Sequence, residues 1–153
     1  MCTDDQKGVC VLYSDACAAL QTVGVCNFDG SVGLTTKMPS GLFAGYAKSA
    51  DAQQTSELYG VCLSVAMAAL SRRSALILTD SQACCAWFAR ERLPTTFLQS
   101  QLLLATSLLQ TLSAVDITVR WTPGQSNPAD SWSRASPHQA RDENPPDAPV
   151  MCC

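Results

Sequence analysis

The chain has 153 residues, of which 47% are hydrophobic and 15% are charged. This length and composition predict one domain with a substantial core. No apolar run is long enough to cross a bilayer, and the first residues lack the basic and apolar blocks of a secretory signal, so we expect no membrane span. The net charge of −3 argues against tight, independent binding of a polyanion, but clustered carboxylates are what a divalent-metal site requires.

The nine cysteines do not form a zinc-binding pattern. Their number is odd, their spacing is irregular, no C-x-x-C pair occurs, and His138 is the only histidine. These features argue against a structural zinc site. We expect reduced thiols that act as small core residues.

The first part of the chain predicts an antiparallel meander of three strands. The strands are expected at residues 9–13, at residues 22–28, and within residues 32–46, with an interruption at Pro39-Ser-Gly41. Asp29-Gly30 between the second and third strands is a strong hairpin signal.

The remainder predicts alternating helices and strands. A helix should begin near Thr55 or Ser56, either of which can cap it. A strand at 75–79, helices at 81–90 and 96–113, a strand at 116–122 and a short helix capped by Asn127 follow. The order β-β-β-α-β-α-α-β-α predicts an α/β fold with a five-stranded mixed sheet, three antiparallel strands followed by parallel strands, flanked by helices. We expect an N-terminal extension over 1–8, one folded domain over 9–134 and a disordered tail over 135–153.

The predicted helix over 96–113 is unusually rich in leucine. Its apolar face includes Leu102, Leu103, Leu104, Leu108, Leu109 and Leu112. We expect these side chains in the core, although so broad a face could also dock a neighbouring domain.

Four acidic residues occupy related positions in the predicted elements. Asp15 ends the first strand, Asp80 ends the fourth, Glu57 lies in the first turn of the first helix, and Asp130 lies in the last short helix. Each alone fits a structural role in a turn, at a helix dipole or on the surface.

Neighbouring first and fourth strands would place Asp15 and Asp80 side by side, and a helix packed over the sheet could bring Glu57 to them. Several carboxylates at one point repel one another unless cations bind between them, which predicts a Mg²⁺ or Mn²⁺ site. We expect these three within metal-bridging reach, with Asp130 nearby on a more mobile segment.

Four short stretches carry a family resemblance over about residues 9–134. They are Tyr13-Ser-Asp-Ala16, Thr55-Ser-Glu-Leu58, Thr79-Asp-Ser-Gln82 and Trp121-Thr-Pro-Gly-Gln-Ser-Asn-Pro-Ala-Asp-Ser-Trp-Ser-Arg134. In order and spacing they resemble the ribonuclease H domain of retroelement reverse transcriptases. The last stretch is similar to those of retrotransposons and of hepadnavirus polymerases.

The resemblance implies endonucleolytic hydrolysis of the RNA strand of RNA–DNA hybrids by two Mg²⁺ ions, for which Mn²⁺ can substitute. It implies that Asp15 bridges both ions and that Asp130 completes the side from which water attacks. Glu57 and Asp80 would hold the ion on the leaving-group side.

The resemblance also implies contacts and partners. Ser81 and Gln82 would bind substrate, with Gln82 reading the RNA strand in the minor groove. The partners would be the hybrid and the polymerase domain of the same polyprotein, in the cytoplasm or within a virus-like particle.

The chain departs from cellular ribonucleases H in two ways. The loop Pro123-Gly-Gln-Ser126 lacks the histidine that they carry before the last aspartate. No basic protrusion follows the Thr79-Asp-Ser-Gln82 helix, where only Arg90 and Arg92 occur. We therefore expect slower catalysis and weak independent affinity for substrate.

Two alternatives stay open at this point. Integrase-like and transposase-like nucleases also place acids on strands one and four, but they lack an early helical glutamate, so Glu57 favours ribonuclease H. A degenerate domain that only positions nucleic acid or braces a polymerase is the second alternative. The four carboxylates argue against it, because without metal ions they would repel one another.

Overall fold

The computed structural model describes residues 8–39, 41–42, 49–135 and 140–141. Within this part the order is β1 (Cys10–Cys17), β2 (Thr22–Asn27), β3 (Gly33–Lys37), α1 (Ser49–Leu70), β4 (Ala75–Thr79), α2 (Gln82–Phe88), α3 (Phe97–Ser113), β5 (Ile117–Trp121), α4 (Ala129–Ser133) and β6 (Ala140–Arg141). A single 3-10 turn, Gly124–Ser126, precedes α4. No helix in the described ranges is long and apolar enough to span a membrane.

The strands form one mixed sheet in the order β5-β4-β1-β2-β3-β6. β1, β2 and β3 pair antiparallel, whereas β4 pairs parallel with β1 and with β5. The predicted five-stranded mixed sheet is thus confirmed. The two residues of β6 add a sixth strand against β3, inside the range 135–153 that we predicted to be disordered. Most of that range lies outside the described residues, and the tail stays a prediction there.

The first strand is longer than its apolar run suggested. Asp15, Ala16 and Cys17 pair with Gly24, Val23 and Thr22 of β2, so the hydrogen-bonded ladder continues past the apolar residues. Asp15 therefore lies inside β1, and the prediction that it ends the strand was wrong. Backbone pairing with β2, which a run of side chains does not reveal, extends the strand.

The first described helix begins earlier than predicted. α1 starts at Ser49, so Thr55 and Ser56 are buried within it and do not cap it, and Glu57 is not in the first turn. The two hydroxyl groups are accommodated by local bonds: Ser56 Oγ donates to Ala52 O (2.7 Å), and Thr55 Oγ1 accepts from Gln99 Nε2 of α3 (3.1 Å). Tertiary contact thus supports a helix through residues that favour helix ends.

The third predicted strand is shorter than residues 32–46. β3 ends at Lys37, and residues 43–48 lie outside the described part of the chain.

The sheet separates two layers. On one face, α1 packs over β1, β2 and β4 through a core that includes Leu12, Val25, Leu58, Val61 and Ile77. On the other face, Trp132 of α4 packs with Tyr13 and Cys26. Because successive strand residues point to opposite faces, Asp15 shares the α4 face with Tyr13.

The leucine-rich helix α3 is only partly in the core. Leu102 and Leu103 pack against the main cluster, but Leu104, Leu108 and Leu112 are 55%, 55% and 84% exposed. The expectation of a core position is wrong for these three, because α1 covers only one side of α3.

The prediction of reduced core thiols is confirmed for Cys17, Cys26 and Cys84, which are free and buried, whereas the free cysteines Cys62 and Cys85 are only partly buried. Cys10 differs, because it is disulfide-bonded.

Two glycines let α4 lie directly on the sheet. A Cβ at Gly24 would be 2.6 Å from the carbonyl carbon of Trp132 and closer still to the Ser133 nitrogen. A Cβ at Gly33 would be 2.7 Å from the Trp132 indole ring. Both glycines therefore act through the absence of a side chain.

We expect Gly24→Ala to destabilise the fold by about 3 kcal/mol, since backbone atoms of α4 would have to move away from β2. Alanine is otherwise the better strand residue, so local propensity predicts the opposite sign. Chemical denaturation measures the difference. The control is Gly8→Ala, since nothing lies within 4 Å of a Cβ there. Equal stability of the two variants would contradict the close contact.

Candidate active site

Asp15 is the most buried carboxylate of the site, at 5% exposure. Its Oδ2 accepts a hydrogen bond from Ser133 Oγ of α4 at 2.9 Å. Burial, followed by the negative charges of Asp80 and Asp130, outweighs this hydrogen bond and raises the Asp15 pKa to about 8. In the absence of a cation, the carboxyl group is therefore held in a place that disfavours its charged form.

Asp80 follows the last residue of β4 and approaches the β5–α4 connection. Its Oδ1 is buried without a hydrogen-bond partner. A Cβ at Gly124 would lie 3.0 Å from Asp80 Oδ2, so the glycine keeps the space beside this oxygen open. Burial, and secondly the charge of Asp130, raise the Asp80 pKa. A buried carboxylate oxygen without a partner is a free ligand for a hard cation.

Asp130 lies in α4, which buried hydrogen bonds tie to the sheet. Asn127 Nδ2 donates to Ser14 O (2.9 Å), Trp132 Nε1 donates to Gly30 O (2.9 Å), and Thr22 Oγ1 donates to Ser133 O. Asn127 Oδ1 accepts from Ala129 N (3.0 Å), in agreement with its predicted capping role. The segment we expected to be more mobile is thus held by several buried bonds.

Glu57 reaches the site from the opposite layer. Gln53, one helical turn earlier, donates through Nε2 to Glu57 Oε1 and to Ala16 O, both at 3.2 Å. Burial, chiefly, raises the Glu57 pKa, and bonds with Gln53 and Ser81 oppose the shift, while the charge of Asp80 adds to it. Gln53 therefore links Glu57 to the strand that carries Asp15.

An open cleft of about 680 Å³ brings three of the four predicted acids together. It is lined by Asp15, Ala16, Cys17, Ala18, Ala19, Gln53, Asp80, Gly124, Gln125, Asp130 and Arg134. Glu57 is not among these lining residues, although Gln53, one turn earlier on the same helix α1, is.

The carboxylates are not arranged as a ready-made metal site. Across the described ranges, no three Asp, Glu, His or Cys side chains stand close enough to hold one ion. The expected metal-bridging approach of Asp15, Glu57 and Asp80 is therefore not seen. The donor set of carboxylate oxygens and the unpaired Asp80 oxygen do fit Mg²⁺ or Mn²⁺, so the metal-binding roles stay a prediction.

The two predicted substrate contacts differ in their surroundings. Ser81 is 4% exposed and caps α2, where its Oγ accepts from Cys84 N at 3.2 Å. Its side chain is therefore occupied by the fold. Gln82, the first residue of α2, is exposed and free to meet a ligand. Both binding roles stay predictions.

Three residues of the site were not predicted. Gln53 could have been found from its spacing, since it lies four residues before Glu57 on one helix face. Arg134 lies four residues after Asp130, with 3.7 Å between its Nε and Asp130 Oδ1. Ser133 carries no such signal, because only the packing of α4 on β1 brings it to Asp15.

Comparison with solved structures identifies the architecture. The RNase H1 of the halophilic archaeon Halobacterium salinarum matches with a TM-score of 0.62 and 16% identity, over 82% of this chain and 94% of that one. LC11-RNase H1, in complex with an RNA/DNA hybrid, matches with a TM-score of 0.59 and 8% identity, over 80% and 92%. The chain has the ribonuclease H fold.

A second structure of LC11-RNase H1, isolated from compost by a metagenomic approach, matches with a TM-score of 0.58 and 10% identity, over 81% of this chain and 91% of that one. No protein-family model and no curated protein matches the sequence. The similarity therefore establishes the ribonuclease H fold alone, and the function has to be argued from the side chains.

We expect the metal-free protein to lose stability as the pH rises. The folded pKa of Asp15 is about 8 against an ordinary 3.8, so between these values the folded state retains a proton that the unfolded state has lost. The free energy of unfolding should fall through this range. Asp15→Asn should reduce the slope and stabilise the protein at pH 8 by on the order of 1–3 kcal/mol.

Urea unfolding in EDTA between pH 5 and pH 8 measures this dependence. Asp116→Asn, at an exposed carboxylate beside β5, should keep the wild-type slope. An unchanged slope in Asp15→Asn would show that Asp15 is charged at neutral pH without a cation.

Proposed function

We propose that this chain hydrolyses the RNA strand of RNA–DNA hybrids endonucleolytically, as the ribonuclease H module of a reverse transcriptase. The observation that carries the proposal is the shared cleft of Asp15, Asp80 and Asp130 on a ribonuclease H fold. These residues are far apart in the sequence, and burial and mutual repulsion raise the pKa of two of them. Raised carboxylate pKa values of this kind are typical of a site that binds a ligand of opposite charge.

The carboxylates in and beside the cleft would together hold two divalent ions. Asp15, central and held by Ser133, would contact both, with Asp130 on one side and Asp80 on the other. Glu57, which is bonded to Gln53 and Ser81 in the absence of a cation, would join Asp80. When bound, the ions activate the attacking water and stabilise the departing 3′ oxygen.

The carboxylates would release protons when a cation binds. The raised pKa of Asp15 means that its carboxyl group is largely protonated at neutral pH, and a ligand must be ionised to bind metal. Metal affinity should therefore rise with pH. Gln82 would read the RNA strand through its 2′-hydroxyl groups, which distinguish RNA from DNA.

Replacement of the cleft carboxylates tests the activity. Asp15→Asn and Asp80→Asn should abolish cleavage of a labelled RNA–DNA hybrid in Mg²⁺ or Mn²⁺, and Asp130→Asn should reduce it severely. The fold should survive, because each change removes repulsion. Asp116→Asn is the control of equal charge and should cleave like the wild type, while duplex DNA should stay intact. Wild-type cleavage by Asp80→Asn would refute the assignment.

A non-catalytic domain is the second candidate, and the absence of a ready-made metal site among the described residues favours it. Calorimetric titration with Mg²⁺ separates the two. The catalytic proposal requires metal binding that is lost in Asp15→Asn. A domain that only braces a polymerase would bind Mg²⁺ equally weakly in both forms.

We further propose that the isolated domain binds hybrids weakly and cleaves better when joined to its polymerase domain. Duplex affinity derives largely from Lys and Arg contacts with phosphates, and this chain has 10 basic against 13 acidic residues. A titration at near-physiological salt with Asp15→Asn measures the affinity, and the fused protein provides the comparison. Nanomolar binding with a steep salt dependence by the isolated domain would contradict the expectation.

A further inference from the structure

We propose that Arg134 binds a phosphate of the RNA strand beside the carboxylates, an inference that rests on the proposed hybrid ribonuclease function. Arg134 is the C-terminal neighbour of α4 and lines the cleft with Asp15, Asp80 and Asp130. It is the only cation among the lining residues of this cleft in the described part of the chain. A phosphodiester entering the cleft meets three acidic side chains and one cation that attracts it.

The hydrogen-bonding state of Arg134 supports a ligand. Its Nε and Nη2 are buried and have no hydrogen-bond partner. The nearest anion, Asp130 Oδ1, is 3.7 Å from Nε, which is within ion-pair range but too long for a hydrogen bond. Unpaired buried donors are unfavourable, and a guanidinium group is suited to two oxygens of one phosphate.

Hydrogen bonds hold the backbone just before Arg134, and they therefore set the position from which its side chain extends. The Ser133 carbonyl accepts from Thr22 Oγ1, and Trp132 is held through its indole by Gly30 O. Rotation of the terminal side-chain torsions would exchange the loose contact with Asp130 for a phosphate oxygen. A cation that takes over Asp130 would favour this exchange, because Asp130 would then need Arg134 less as a counter-charge.

The chemistry fits a phosphate better than a base or a sugar. A base edge would need the arginine in a groove of the duplex, whereas Arg134 lies at the carboxylates where the backbone must be cut. The proposed contact positions the substrate and takes no part in proton transfer.

A double-mutant cycle between protein and RNA tests the contact. Binding is measured in Mg²⁺ with the cleavage-dead Asp80→Asn form, which keeps Asp15 and Asp130, using hybrids that each carry one neutral methylphosphonate at a different RNA position. Arg134→Gln should weaken binding of the unmodified hybrid by about 10-fold or more and lower the salt slope by about one. At one position, the methylphosphonate should make the Arg134→Gln effect disappear. Arg134→Lys, which keeps the charge, should recover part of the loss.

The control is Arg72→Gln, which removes an equal charge after α1 and outside this cleft. It should show no coupling with any single phosphate. Equal losses for all hybrids in Arg134→Gln would mean that Arg134 serves only Asp130, and would overturn the inference while hybrid binding itself supports the proposed function. A chain that binds the hybrid no better than duplex DNA, and cleaves neither, would overturn the proposed function and the Arg134 contact with it.

Discussion

The direct contact of α4 with the sheet is the constraint on which the cleft depends. Gly24 and Gly33 leave the space into which Trp132 and Ser133 descend. Only at this separation can Ser133 Oγ reach Asp15 inside β1. A helix raised by one side-chain layer would lose that bond and would carry Asp130 and Arg134 away from Asp15 and Asp80. The close packing thus sets the width of the cleft.

This packing brings together charges that oppose folding. Asp15 is buried near the negative charge of Asp80, and its hydrogen bonds from Ser133 and from the Ala16 backbone do not offset the loss of water around it. The fold must supply the difference from its apolar layers, chiefly the contact of α1 with β1, β2 and β4. A cation bound between these carboxylates would offset their mutual repulsion and their loss of water. Such a site therefore favours binding of a cation, and the bound cation would stabilise the folded state.

The opposite layer contributes through Gln53 and Glu57. The side-chain amide of Gln53 accepts a hydrogen bond from Ala18 N and donates to Ala16 O at the end of β1. The same amide also donates to Glu57 Oε1. Gly60 lets α1 approach the strand, since a Cβ there would lie 2.6 Å from Ser14 Oγ. Helices α1 and α4, on opposite faces of the sheet, thus both form hydrogen bonds with residues at the end of β1.

The sequence by itself determined the order of elements, the mixed sheet and the identity of the four acids, three of which line the cleft. It could do so because these features have local signals: the apolar runs, the Asp29-Gly30 turn, the end of an apolar run before Asp80, and Pro123-Gly124 before Asn127. It placed Asp15 at a strand end and Glu57 in a first helical turn, and both positions were wrong, because pairing with β2 and contact with Gln99 extend these elements.

Only the tertiary structure decided which side chains surround the carboxylates. Ser133 meets Asp15 across 118 residues, and Asn127 meets Ser14 across 113. No periodicity or spacing encodes such pairs, since they depend on the absence of a side chain at Gly24 and Gly33. The same packing left Arg134 beside Asp130 with unpaired nitrogens and left Glu57 in the other layer. The identity of the acids is therefore a property of the local sequence, whereas their distances and charge states follow from how closely two layers can approach one sheet.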